Sequence, residues 1–307
     1  FIYIRVLRMR KADLKAIAIN YCADVATADT APVLLDKAFI QPALLSWYRQ
    51  NRRQMPWRGD QTSISPSAYG TWISEVMLQQ TRVETVIEYW NRWMAVFPDV
   101  KTLASASPDE VNKMWAGLGY YRRAQMLLKG ANKVVEDFNG VLPDSTQELL
   151  TIPGIGPYTA GAIASIAYDK AEPLVDGNVM RVFSRLLALK LEVGGGAMEK
   201  QCWKIATDLV PTESPGDFNQ ALMELGATVC KPTSPDCANC PLNTVCHAKL
   251  LVDAARSHDA ANKTTAPQDT PAAGMLKLFA MKRKLSEKED SFPDTLPDTI
   301  PDIEEIP

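Results

Sequence analysis

Between about residue 39 and residue 250 the apolar side chains recur at helical rather than strand spacing. The stretch LLSWYRQNRR, 44–53, predicts a helix stopped by Pro56. TWISEVMLQQTRVETVIEYWNRWMAVF, 71–97, predicts one long helix or two in tandem. SPDEVNKMWAGL, 107–118, opens with a Ser cap, a proline at the first helical position and early acids, the chemistry of a helix start. RRAQMLLKGANKVVEDF, STQELLTI, PYTAGAIASIAY, GNVMRVFSRLLAL, MEKQCWKIATDLV and DFNQALMELGATVC continue the pattern, separated by turns such as Asn139-Gly140. No stretch predicts a sheet, so the expected fold is all-α.

Composition narrows the chemistry. No apolar run approaches the roughly 20 residues of a membrane span. The two histidines, His247 and His258, both follow Cys246, so the first 246 residues contain no Ser-His-Asp triad and no histidine-based metal site. Net charge is −3, and residues 39–250 carry 20 basic and 21 acidic side chains. A nucleic-acid partner must therefore be met by local patches and backbone amides. All seven tryptophans lie between Trp47 and Trp203. From about 251 to 307 the chain is poor in aromatics and ends in FPDTLPDTIPDIEEIP, the composition of a disordered tail. Residues 1–38 form an extension without a clear signature.

Four segments carry candidate chemistry. In LLTIPGIGPYTAGAI, 149–163, Pro153-Gly154-Ile155-Gly156 turns tightly between two helical patterns. Gly154 and Gly156 let backbone amides face outward at a helix N-terminus, where a phosphate binds well. A plain helical corner is the competing reading. In LVDGNV, 174–179, Asp176 stands where a helix N-cap belongs; a carboxylate there can also lie beside DNA held by the glycine turn. In WISEVMLQQT, 72–81, Glu75 sits among apolar residues; a buried carboxyl is costly and would invite a functional role, while an exposed polar face is the competing reading and the default from this stretch alone. Gln79, Gln80 and Thr81 add groups able to meet base edges. Finally, four of six cysteines fall within 17 residues: Cys230, Cys237, Cys240 and Cys246, with Cys22 and Cys202 apart. That spacing suits a 4Fe–4S cluster or a four-cysteine zinc site and leaves the two open.

PWR at 56–58, SEVMLQQT at 74–81, GLGYYRRA at 117–124, PGIGPYTA at 153–160, VDGNV at 175–179 and the cysteine loop occur in the order and spacing of one family. Over 39–250 the chain resembles the MutY-type adenine DNA glycosylases of the endonuclease III superfamily. The resemblance implies a helix-hairpin-helix glycosylase with a six-helix barrel over about 68–175. A cluster domain would combine 39–67 with 176–250, with the cysteines holding a 4Fe–4S cluster. It implies a monofunctional enzyme of base excision repair, because bifunctional relatives carry a lysine where this chain has Tyr158. Its substrate would be double-stranded DNA with adenine opposite 8-oxoguanine or guanine.

By the same resemblance Glu75 protonates adenine N7, Asp176 stabilises the sugar cation, Asn178 orients Asp176 and Tyr158 bounds the pocket. Trp57 and Arg58 lie beside the extruded base; Gln80, Thr81 and Tyr120 lie near the opposite strand, with Tyr120 as a wedge. For Trp57 and Tyr120, core packing is the competing expectation. A sister glycosylase acting on mismatched thymine or uracil, a non-catalytic DNA-binding protein and a zinc module are the alternatives. The resemblance also implies a monomer inside the cell, in nucleus or mitochondrion in a eukaryote and in cytoplasm in a bacterium. GMLKLFAMKRK, 274–284, weakly resembles a sliding-clamp-binding peptide with a basic patch but lacks the leading Gln and a second aromatic. The short, aromatic-poor stretch after Leu250 predicts no C-terminal 8-oxoguanine-recognition domain, as in a fragment or natural short form.

Overall fold

The structure, a computed structural model, describes residues 35–59, 66–191 and 195–264, with side chains to 257. The extension before residue 35, most of the tail and the clamp-like peptide lie outside the described residues. Among the described residues there are helices and no strand, as the periodicity requires.

Helix α1 spans Lys37–Asn51, with the Asp36 side chain accepting from the Phe39 amide. Ile40, Leu44 and Tyr48 are its buried positions, four residues apart and hence on one face. A 3₁₀ turn at Pro56–Arg58 follows. The pattern 71–97 resolves into two helices, α2 (Ala68–Leu78) and α3 (Val83–Val96). They part at Gln80, whose φ of 55° lies in the left-handed region that no helix interior allows. A five-residue helix α4 (Val100–Ala104), absent from the periodicity, is set by its Asp99 cap. α5 (Pro108–Trp115) has the full capping box, Ser107 and Glu110 each bonding the other's backbone. α6 (Arg122–Phe138) and the single turn α7 (Thr146–Leu149) lead to α8 (Pro157–Tyr168). Then come α9 (Gly177–Leu186), α10 (Gly196–Leu209), α11 (Pro215–Thr228) and α12 (His247–Thr264). The disordered tail expected from 251 is corrected over its first part, which continues α12 to Thr264. Low aromatic content removes core material but not local helix propensity, and LLVDAARSHDAAN is rich in good helix formers. No helix among the described residues is long and apolar enough to cross a membrane.

Two hydrophobic cores organise residues 35–251. The first is built from Trp72, Trp93, Trp115, Leu103, Leu127, Ile152 and their neighbours on α2 to α8. The second gathers Leu44, Tyr48, Phe183, Leu209, Phe218 and Leu225 from α1, α9, α10 and α11, with Leu242 of the cysteine loop. α8 serves both: Ala160 and Ile163 face the first core and Ala162 the second. It packs on α2 from one side and α11 from the other. Seven consecutive residues, Thr159–Ser165, are buried, and four are Gly or Ala because little space remains on any side.

Candidate active site

Helix α2 carries nine buried residues in succession, Tyr69 to Met77, and Glu75 is among them at 6% exposure. A carboxyl in such a place must be neutral or partnered. Its partner comes from α8: the Tyr158 hydroxyl donates to Glu75 Oε2 at 2.5 Å, with Met223 Sδ 3.2 Å from the same hydroxyl. Burial pushes Glu75 up to about 7; the Tyr158 hydrogen bond opposes that rise, the charge of Asp176 adds to it and that of Arg58 opposes it. Burial, and then the charges of Glu75 and Asp176, hold the Tyr158 phenol well above its ordinary value.

Asp176 is the N-cap of α9. Its Oδ1 accepts from the Val179 amide at 2.7 Å and its Oδ2 from Asn178 Nδ2 at 2.8 Å. Asn178 is itself fixed, its Oδ1 accepting from Arg181 Nη2 at 2.6 Å. Arg181 also donates to the carbonyls of Gly226 and Cys230. The approach of α11 to this corner depends on Gly226, where a Cβ would lie 2.6 Å from Asn178 Cβ. The cap expectation for Asp176 therefore holds, and the same carboxylate borders the Glu75–Tyr158 pair.

Arg58 stands beside this group but is engaged. Its Nη2 lies 3.0 Å from Glu224 Oε2, its Nη1 donates to the Arg53 carbonyl, and it lies over the Tyr48 ring at 5.4 Å. Arg53 shares Glu224, its Nε donating to Oε1 at 2.6 Å. Burial would raise the Glu224 pKa, yet the bonds from Arg53 and the charges of both arginines outweigh it and hold it below the usual value. Trp57 is 7% exposed and packs against Trp90 at a centroid distance of 6.1 Å, within the first core.

The other predicted residues stand apart from the carboxyl pair. Gln80 and Tyr120 are exposed and Thr81 half-buried, at the ends of α2 and before α6. At the hairpin, Gly154 has φ 80° and faces Met126, so a side chain there would be both strained and crowded. Gly156 caps α8 with no side-chain hydrogen bond, leaving the first amides of that helix without an internal partner. Gly130 of α6 lets the hairpin come close: a Cβ there would lie 2.8 Å from the Pro153 carbonyl and from the Trp72 ring.

Cys230, Cys237, Cys240 and Cys246 are free and half-buried, three of them packed against the second core. Burial pushes Cys240 up to about 11, and the thiols of Cys246, Cys230 and Cys237 contribute. Arg185 braces the loop through the carbonyls of Lys231 and Pro232 and approaches Cys230 Sγ at 3.4 Å. Among the described residues no three His, Cys, Asp or Glu side chains converge as on one metal ion.

Sequence reasoning missed Glu224, Arg53 and Arg181. Glu224 had the signal that marked Glu75, a lone acid within ALMELG. Arg181 and Arg185, one helical turn apart, carried no comparable sign.

Residues 73–207 match the family model described as HhH-GPD superfamily base excision DNA repair protein. The chain is 49% identical over 217 residues to an adenine DNA glycosylase of Rattus norvegicus, covering 69% of this chain and 42% of that protein. It is 50% identical over 215 residues to that of Homo sapiens, covering 69% and 39%, and 45% identical over 239 residues to that of Arabidopsis thaliana, covering 71% and 38%. The chain thus spans about two-fifths of the length of these relatives. Among solved structures it is similar to a thermostable thymine-DNA glycosylase, with a TM-score of 0.62 and 26% identity over 70% of this chain and 97% of that one. Its fold also matches an endonuclease III trapped as a covalent DNA intermediate, at a TM-score of 0.58 and 20% identity over 72% of this chain and 100% of that one. An all-helical fold built around a helix-hairpin-helix turn, the family match over that turn and these relatives agree: residues 73–207 form an HhH-GPD domain of the kind found in base excision DNA repair proteins.

Proposed function

We propose that this chain is a monofunctional DNA glycosylase that hydrolyses the N-glycosidic bond of adenine mispaired with 8-oxoguanine or guanine in double-stranded DNA. The observation that carries the reading is the Glu75–Tyr158 pair bordered by Asp176. It joins an acid able to keep its proton near neutrality to a second carboxyl, with a phenol where lyases need an amine. An adenine turned out of the stack presents N7 to the acid. Tyr158 occupies Glu75 Oε2 and leaves Oε1 to hold the transferable proton. As the C1′–N9 bond breaks, that proton passes to N7 and adenine departs neutral. Asp176, held by the Val179 amide and Asn178, supplies negative charge beside the sugar cation until water adds its oxygen to C1′ and releases a proton.

Gly154 and Gly156 present the start of α8 to a DNA phosphate. Trp57 and Arg58 wall the base pocket, Arg58 held by Glu224. Gln80, Thr81 and Tyr120 meet the opposite strand. The identity of 45–50% to adenine DNA glycosylases supports adenine over thymine. Cys230, Cys237, Cys240 and Cys246 would hold a 4Fe–4S cluster. The donor set fits such a group: four half-buried thiols on one loop, with Arg185 Nη1 3.4 Å from Cys230 Sγ. The cluster would fasten the loop between α11 and α12. The division proposed is 68–175 and 39–67 with 176–250, which the two cores follow except where Met55 and Trp57 join the first and α8 serves both, and the protein is proposed to work inside the cell as a monomer.

The test is single-turnover release from duplexes bearing adenine opposite 8-oxoguanine, guanine or cytosine, and thymine opposite guanine, with borohydride present in a parallel set. Adenine release from the first two without a trapped adduct is expected. Release of thymine alone, or efficient trapping, would replace this reading with another branch of the superfamily.

A further inference from the structure

One side chain with no role so far makes more cross-loop contacts than any of the proposed DNA-contacting residues. Arg123, in the first turn of α6, sends Nη1 to three carbonyls at the end of α2: Val76 at 2.8 Å, Met77 at 3.1 Å and Gln79 at 2.6 Å. Its Nη2 faces the carbonyls of Leu118 at 3.4 Å and Gly119 at 3.3 Å, and Thr81 Oγ1 at 3.4 Å. The guanidinium also lies 5.2 Å from the Trp115 ring centroid and 5.4 Å from that of Tyr120. Trp115 is tied to the same loop, its Nε1 donating to Gly119 O at 2.8 Å.

The two loops joined this way share a property. Gln80 has φ 55° and Tyr120 φ 46°, the left-handed region that a side chain disfavours. Gly117 and Gly119 beside Tyr120 are left-handed as well, at 94° and 78°. Such backbone persists only where surrounding contacts over-determine it. Arg123 supplies contacts to both loops from one rigid plane. It also satisfies carbonyls that the end of α2 leaves without helical partners.

We infer that Arg123 is a positioning residue for opposite-base recognition, locking the Gln80–Thr81 loop and the Gly117–Tyr120 loop into one preformed surface. The inference rests on the reading above that these loops meet the strand opposite the adenine. Arg123 makes no contact with the Glu75–Tyr158 pair, so its contribution falls on which mispair is accepted rather than on proton transfer. Lysine cannot replace it: an ammonium is a single point, unable to span two sets of carbonyls or to stack on Tyr120.

Arg123→Lys in the full chain tests this with two readouts. In hydrogen exchange, amides of 79–82 and of 117–121 should lose protection together while those of α8 keep theirs. Loosening of one loop alone, or of neither, overturns the linkage. In single-turnover kinetics the preference for adenine opposite 8-oxoguanine over adenine opposite cytosine should fall about tenfold, the scale of one base-specific contact. In a Tyr120→Ala background Arg123→Lys should cause little further fall, because both changes damage one surface. Losses that multiply would show that Arg123 acts elsewhere and overturn the positioning role. If the unmodified protein releases adenine from no duplex, the functional reading fails, and the exchange measurement alone decides whether Arg123 couples the loops.

Discussion

At the scale of single residues, Glu75 decides most. With its pKa near 7 and a requirement for the protonated form, excision should be fastest on the acid side and decline as pH rises through about 7. A rate that instead climbs through that range would remove Glu75 as the acid. Glu75→Gln keeps the shape and loses the proton, so turnover should fall by a factor of about 10²–10⁴ or more with DNA binding retained. Stability should move the other way. An unfolded glutamic acid ionises near 4.5, so between there and about 7 unfolding releases a proton and stability falls as pH rises. The Gln variant escapes that loss: little difference at pH 4, and a gain on the order of 3 kcal/mol by pH 8. Denaturant titrations at the two pH values measure it, and equal stabilities at both would mean that Glu75 is not strained in the fold. Glu75 stood out as an acid inside an apolar run, but that run alone left an exposed polar face as the default and its role came from the resemblance. Its hydrogen bond to Tyr158 was not legible, since 83 residues separate the two.

At the scale of elements, caps and stops were readable and breaks were not. Ser107-Pro108 and Asp176 announce helix starts through local hydrogen-bonding chemistry, and the structure has both. At the parting of α2 from α3 Arg123 donates to the Gln79 carbonyl from another helix, a contact that periodicity, which left one helix or two, does not encode. The short α4 is too brief for a period to show. Glu224 likewise gains meaning only when Arg53 and Arg58 close on it from the segment after α1. The cap role of Asp176 and its proposed catalytic role can be separated at this level. Asn still caps a helix, so Asp176→Asn should retain most of the stability, whereas Asp176→Ala should cost about 1 kcal/mol. Both should slow excision sharply, because neither carries the negative charge. If the Asp176→Asn variant excises normally per folded molecule, Asp176 is a cap and nothing more.

At the scale of the whole molecule, the all-helical class and the position of the glycine turn followed from pattern, while the pairing of distant segments came only with the fold. α1 and α11 lie against each other although more than 160 positions part their ends, which no local signal encodes. The cysteine loop is a further long-range dependence. Replacing Cys230, Cys237, Cys240 or Cys246 with Ser should lower iron content and weaken DNA binding, while Cys202→Ser should do neither, since Cys202 is fully buried in the second core. Iron analysis and absorbance near about 400 nm report the first effect. Equal loss from Cys202→Ser would sink the ligand assignment.

Helix α8 offers almost nowhere to add an atom. A methyl group on Gly161 would land 2.1 Å from the Pro173 carbonyl, and Gly216 of α11 leaves little more room, with the Ser165 carbonyl at 2.6 Å. Its neighbours on both sides therefore dictate its spelling, and Tyr158, which donates to the proposed acid Glu75, projects from that same immovable rod. Changes in reactivity in this lineage would then be expected to come from what α8 presents at its first turn and from the loops around it, because the rod itself cannot drift without dislocating both halves at once.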